Sequence, residues 1–139
     1  MTGAKIDATQ LRRIRKALAT VPFAQLLGIE LDDVATGTAT LGLEVRKELT
    51  QNHGVVHGGV IASLIDTATA FAIISLLAPD ERVTTVDLTI SYLRPITEGR
   101  ITAAAKVVRA GRRLFVVSAE VFGGDKKPAA TALSTYIKL

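Results

Sequence analysis

Residues 52–79 read NHGVVHGGVIASLIDTATAFAIISLLAP, and the rest of the chain is organised around them. The stretch opens on a Gly-rich turn, His57-Gly58-Gly59, and runs into an apolar segment that Leu77-Ala78-Pro79 closes. Between Gly54 and Pro79 the only fully charged side chain is Asp66. A segment this apolar predicts one central helix, ended by Pro79-Asp80, that needs cover on most of its sides. A carboxylate isolated in it demands a reason, because burying an unpaired charge is costly. Residues 60–78 are long enough by count to cross a membrane. Asp66, Ser63, Thr67, Thr69 and Ser75 interrupt them, however, and strand-like alternation follows, so a buried helix is expected and no membrane partner.

Upstream, residues 8–20 place Leu11, Ile14 and Leu18 on one helical face and Arg12, Arg13, Arg15 and Lys16 around the others, with Asp7 or Thr9 as cap. Pro22 starts a second helical turn, PFAQLL, which Gly28 ends. From Ile29 the period changes to two. Ile29 and Leu31 lead into a turn at residues 35–37, and Ala39, Leu41, Leu43 and Val45 then alternate with Thr40, Gly42, Glu44 and Arg46, which predicts a hairpin. Residues 47–56 form a loop into the central helix.

Downstream, four more strands are expected, at residues 83–93, 100–109, 112–122 and 129–138, separated by turn signals at Pro95, Gly99, Gly111 and Gly123-Gly124. The short turns predict an antiparallel meander through all four. The fold class is therefore α+β: a curved antiparallel sheet wrapped around one long helix, in a single domain spanning residues 1–139. One sheet leaves exposed edges and one side of the helix bare, which favours a dimer.

The 139 residues carry 48% hydrophobic side chains, enough for a core built of Val, Leu, Ile and Ala. The absence of Cys excludes disulfides, thiolate metal sites and a Cys nucleophile, and two His offer no metal cluster. The net charge of +4 suits a phosphorylated small ligand, while aromatics at 4% argue against a nucleic-acid partner that stacks bases. No apolar h-region precedes the basic first helix, so the expected location is cytoplasmic.

Two features carry chemistry. Gly58 and Gly59 bring backbone N–H groups to a helix start, where unpaired donors and the helix dipole can hold a developing oxyanion. Asp66 is the candidate base or nucleophile. Eight residues separate Gly58 from Asp66, roughly 12 Å along a helix axis. A reacting carbonyl needs donor and base each about 3 Å away, so two such residues of one chain cannot serve one substrate. Gly58 of one subunit is expected to work with Asp66 of another, in two composite sites between antiparallel helices.

The stretch QNHGVVHGGVIASLID, the PFAQLLGIEL segment, the TTVDLTISYLRP strand and the GRRL hairpin resemble the hotdog-fold acyl-CoA thioesterases, in the PaaI-like branch of the 4-hydroxybenzoyl-CoA thioesterase superfamily. The resemblance implies a sheet of five or six strands around one helix, and homodimers that often pair into homotetramers. It implies hydrolysis of an acyl-CoA to free acid and CoA, with no cofactor beyond the coenzyme A of the substrate. By position, Asp66 would be the acidic catalyst and the Gly58 N–H would bind the thioester oxygen. Gln51 stands where the family usually has Asn, three residues before the loop glycine, and offers an amide; Asn52 follows it. His57 and Gly59 would shape the turn near the thioester. Thr85 occupies the place of a Ser or Thr that contacts the attacking water. Asp87 and Tyr92 would line the pantetheine channel, and Arg109, Arg112 and Arg113 would meet the nucleotide phosphates. The rival readings are a hotdog hydratase or dehydratase, which pairs its acid with a catalytic His, and a non-catalytic acyl-CoA-binding regulator.

Overall fold

In the computed structural model, which describes residues 2–139, the apolar stretch forms one helix and six strands curl around it. The elements run α1 (Ala8–Ala19), α2 (Pro22–Leu27), β1 (Glu30–Ala35), β2 (Thr38–Glu44), a single 3-10 turn (Lys47–Leu49), α3 (Gly58–Ile74), β3 (Val83–Tyr92), β4 (Arg100–Ala110), β5 (Leu114–Phe122) and β6 (Pro128–Lys138). This is the hotdog arrangement, with α3 inside a curved antiparallel sheet.

The first helix is bounded by local chemistry. The Asp7 carboxylate accepts from Gln10 N at 2.7 Å, and the Gln10 side chain reaches back to Asp7 N, a capping box. Ile14 and Leu18 face inward and are buried. Arg13 leaves the same helix in another direction: its Nη2 donates to the carbonyls of Ile74 and Leu77, each at 3.3 Å, at the C-terminal end of α3. A cation there satisfies orphaned carbonyls and complements the helix dipole. The buried Nε finds no acceptor among the described residues, which offsets part of the gain. Arg13→Ala is expected to lower unfolding free energy by about 1–2 kcal/mol, read in a denaturant titration, without changing turnover.

The central helix stops earlier than the sequence suggests. Apolar character continues to Pro79, but α3 ends at Ile74 with Ser75 as cap. The next N–H groups fall back to shorter bonds, Leu76 N to Ile73 O and Leu77 N to Ile74 O. Ser75 Oγ leaves solvent to accept from Gly37 N at 2.8 Å, so a tertiary contact ends the helix before the proline does. No helix among the described residues is long and apolar enough to cross a membrane.

The strand order is β1-β2-β4-β5-β6-β3. The β1–β2 hairpin forms as the alternation predicts, and β4, β5 and β6 form a meander. The expected continuation of that meander to β3 is wrong: β3 pairs with β6, and β4 pairs with β2. The reason lies in residues 93–99. That segment is not a hairpin turn but a crossover that buries Ile96 and gives its carbonyl to Val56 N at 2.8 Å, carrying the chain across the end of the sheet. As a result β3, ten residues long, is an edge strand with one side unpaired.

The inner face of the sheet is built of small and branched residues. Ala103 and Ala105 on β4, Val117 and Ala119 on β5, and Ala130 and Ala132 on β6 are buried and allow α3 to approach closely. α3 rests mainly on β2, β4 and β5 and only lightly on β6 and β3. The side of the helix toward β3 is therefore the open one, and Gly59, Ser63, Asp66, Thr67 and Ala70 on it retain exposure.

Candidate active site

The start of α3 divides its two glycines between two tasks. His57 is the N-cap, and its Nδ1 accepts from Gly59 N at 2.8 Å, so the ring proton sits on Nε2. A Cβ at Gly59 would lie 2.9 Å from that Nδ1, so glycine lets the imidazole fold back over the turn. One of the two expected oxyanion donors is thus spent on the cap. Gly58 N has no acceptor among the described residues. Its backbone is not left-handed, and an added Cβ would stand in ordinary contact, 3.4 Å from the Tyr92 ring. Neither conformation nor packing within the chain calls for glycine at 58; what glycine provides is an unobstructed N–H. Tyr92 braces this turn, its hydroxyl donating to Gly58 O at 2.8 Å. Tyr92, Gly58, Val55, Val56 and Ile61 line a cavity of about 300 Å³.

Asp66 is half-buried on the open side of α3. Thr85 Oγ1 donates to its Oδ1 at 2.8 Å, and the Tyr136 hydroxyl lies 3.1 Å from the same oxygen. Thr85 and Tyr136 are direct cross-strand partners on β3 and β6. A bulge between Thr85 and Asp87 lets Thr85 face the helix together with Leu88, Ile90 and Tyr92. The Tyr136 hydroxyl also reaches Asp66 O at 2.7 Å and Thr69 Oγ1 at 2.8 Å. Burial pushes the Tyr136 phenol up to about 12, the Thr69 hydrogen bond opposes that, and the Asp66 charge adds to it. The phenol stays protonated at ordinary pH and serves as a donor. Asp66 Oδ2 has no partner among the described residues.

The open backbone donor at the helix start and the half-open carboxylate further along it lie in a stretch that a known family of sequences shares. The thioesterase superfamily model matches residues 53–130, which contain both. The chain belongs to the thioesterase superfamily. This thioesterase is 31% identical over 132 residues to a medium/long-chain acyl-CoA thioesterase, YigI, of Salmonella typhimurium, covering 84% of this chain and 85% of that one. It superposes on a thioesterase family protein of Silicibacter pomeroyi with a TM-score of 0.87 at 30% identity, over 94% of this chain and 98% of that chain. The PaaI protein from the phenylacetic acid degradation operon of Escherichia coli aligns with a TM-score of 0.86 at 26% identity, over 94% of this chain and 93% of that chain. Thioester hydrolysis is the chemistry of the family, and the enzyme is a thioester hydrolase.

The remaining expected residues of the thioesterase fall into three groups. Gln51 and Asn52 lie in the loop that delivers His57, a loop closed by a bridge between Thr50 and Val56. Gln51 turns its Oε1 back to accept from His53 N at 2.7 Å, and among the described residues neither its amide NH₂ nor the exposed Asn52 side chain makes a hydrogen bond. Arg109, Arg112 and Arg113 stand exposed at the β4–β5 tip, with no acidic partner within ion-pair reach among the described residues. Ala110, Phe115, Tyr136 and Thr85 follow one another across four strands, so the arginine tip is at the same end of the sheet as Asp66. Asp87 stands apart from these. It pairs with Thr135 on the outer face, opposite to Thr85 and Tyr92, because the bulge and the two-residue period turn it away from α3. Asp87 and Tyr92, both expected at a pantetheine channel, therefore lie on opposite faces of β3.

Tyr136 and Thr69 are not legible as site residues in the sequence. Tyr136 reads as one more inward position of a strand. Its only signal is chemical: a buried phenol needs a partner, and the sequence does not say that this partner is 70 residues away.

Proposed function

We propose that this thioesterase hydrolyses acyl-CoA thioesters in two composite sites of a homodimer. The carrying observation is that Gly58 N and Asp66 Oδ2 are both open on the same helix and stand roughly 12 Å apart along it. Each is half of a site. Antiparallel apposition of two α3 helices brings the Gly58 N–H of one protomer opposite the Asp66 carboxylate of the other, twice by symmetry. The long unpaired edge of β3 and the small residues Gly59, Ser63 and Ala70 on the open helix side support that apposition. Dimers then pair into a tetramer, which mass in solution checks. The acyl-CoA substrate follows from the relative named for it.

In this reading the thioester oxygen accepts from Gly58 N–H, which strengthens as the carbonyl carbon becomes tetrahedral. Asp66 either takes a proton from water or attacks the carbonyl itself. The C–S bond breaks and the thiolate takes a proton to leave as CoA; on the first route water has already supplied the acid's oxygen, and on the second water then hydrolyses the acyl–Asp66 anhydride, which frees the carboxylic acid and restores the Asp66 carboxylate. Single turnover in heavy-oxygen water separates the two routes, since label enters the Asp66 carboxylate only if it attacks. A thiol-release screen across acyl-CoAs, beside an enoyl-CoA hydration assay, tests the function. Thiol release without hydration is expected, because His57 spends Nδ1 on the helix cap. Hydration without thiol release, or tight CoA binding without either, would sink the proposal.

The arginine tip is the candidate phosphate site. Replacing Arg112 and Arg113 by Ala is expected to raise KM for an acyl-CoA by about tenfold with kcat unchanged, the signature of lost uniform binding. The KM of the corresponding acyl-pantetheine, which lacks the nucleotide, should not move.

A further inference from the structure

We infer that Tyr136 is a positioning residue for the hydrolysis: with Thr85 it holds one oxygen of the Asp66 carboxylate so that the other faces the substrate. The inference rests on the reading of Asp66 as the reacting group and goes beyond it. Two hydroxyls converge on Oδ1, Thr85 at 2.8 Å and Tyr136 at 3.1 Å, while Oδ2 has no partner among the described residues. They belong to one rung of the β3–β6 ladder, so the sheet sets their separation rather than two independent rotamers. With both donors on Oδ1, rotation about the Cβ–Cγ bond is blocked and Oδ2 is the oxygen presented at the open side of α3. Tyr136 is 2% exposed, so it acts through Asp66 and does not touch substrate.

The proton count shows why this is more than a buried phenol finding an acceptor. Tyr136 has one proton and three acceptors in reach: Asp66 O at 2.7 Å, Thr69 Oγ1 at 2.8 Å and Asp66 Oδ1 at 3.1 Å. Asp66 O or Thr69 alone would satisfy it. While the carboxylate is charged, Oδ1 is the stronger acceptor and draws the proton. Thr69, which otherwise donates to Ile65 O at 2.9 Å, then fills in behind Tyr136. When the carboxylate gains a proton or an acyl group its charge is gone, and the Tyr136 proton returns to the main-chain carbonyl. The hydroxyl pair thus follows the charge on Asp66 with no heavy atom moving.

Steady-state thiol release by Tyr136→Phe, Thr85→Val and the double variant tests this, with Asp66→Asn and thermal unfolding alongside. Tyr136→Phe should lose about 10- to 100-fold in kcat with KM within about twofold. The double variant should lose less than the product of the two single losses, because both donors hold the same atom. Wild-type kcat in Tyr136→Phe, a change confined to KM, or losses that multiply would each overturn the inference. Where Tyr136→Phe does not fold, Thr69→Val carries the test. It removes the donor behind the phenol without touching the carboxylate, and should lower kcat about three- to tenfold at unchanged KM; wild-type kcat there overturns the inference as well. Near-normal turnover by Asp66→Asn would remove the reading of Asp66, and this role with it. A dead Asp66→Asn beside a fully active Tyr136→Phe would remove only the role of Tyr136.

Discussion

Asp66→Ala is expected to abolish thiol release from every acyl-CoA the wild type accepts, a loss of at least roughly 10²- to 10⁴-fold in kcat. The size follows from chemistry. Water attacks a thioester slowly at neutral pH without a base, and no other carboxylate lies on α3 to take over. The fold should survive. The carboxylate is half-exposed rather than embedded, and both hydroxyls that serve it have other acceptors or solvent. A thermal midpoint close to wild type, with turnover gone, is the expected pair of results. Turnover near wild type in the folded variant would move the chemistry off Asp66 altogether.

Gly58→Pro is the second large effect, and it deletes a backbone donor that ordinary substitutions leave in place. Proline has no N–H, and the first position of a helix is where it is best tolerated. The residue before it must be extended, and His57 already is, at φ −62° and ψ 132°. The variant should therefore fold, and kcat should fall about 10²- to 10³-fold, the usual cost of one oxyanion donor. Its greater value lies in mixing. In dimers refolded from equal amounts of Gly58→Pro and Asp66→Ala chains, one site combines the intact Gly58 of one chain with the intact Asp66 of the other. Half the dimers are mixed and each has one of two sites whole, so about a quarter of wild-type activity should return. If both groups served one substrate within one chain, mixing two inactive proteins would restore nothing.

Much of this architecture is legible in the residues themselves. Alternation locates all six strands within a few residues, and one apolar run locates the helix they enclose. The single charge at Asp66, and its separation from Gly58, are what motivate the proposal of two chains per site. Resemblance singles out Thr85 for the attacking water; in the structure its hydroxyl donates to Asp66. The expectations that fail share a cause. The meander into β3 and the helix end at Pro79 both extrapolate from local pattern. Each is overruled by something beyond that pattern: the free edge of β6 and the contact between Ser75 and Gly37.

Local sequence suffices for the elements, for the one carboxylate on the helix and for the glycine at its start, because propensity, period and turn chemistry act within a few residues. Long-range packing was needed to make β3 an edge, to set Tyr92 against the Gly58 turn and to bring Tyr136 to Asp66. Strand pairing depends on which edge is left unfilled once the helix has taken its cover, and no local pattern carries that information. The Asp66 carboxylate is encoded at one position, but its orientation is set by a sheet rung whose two residues lie 19 and 70 positions away.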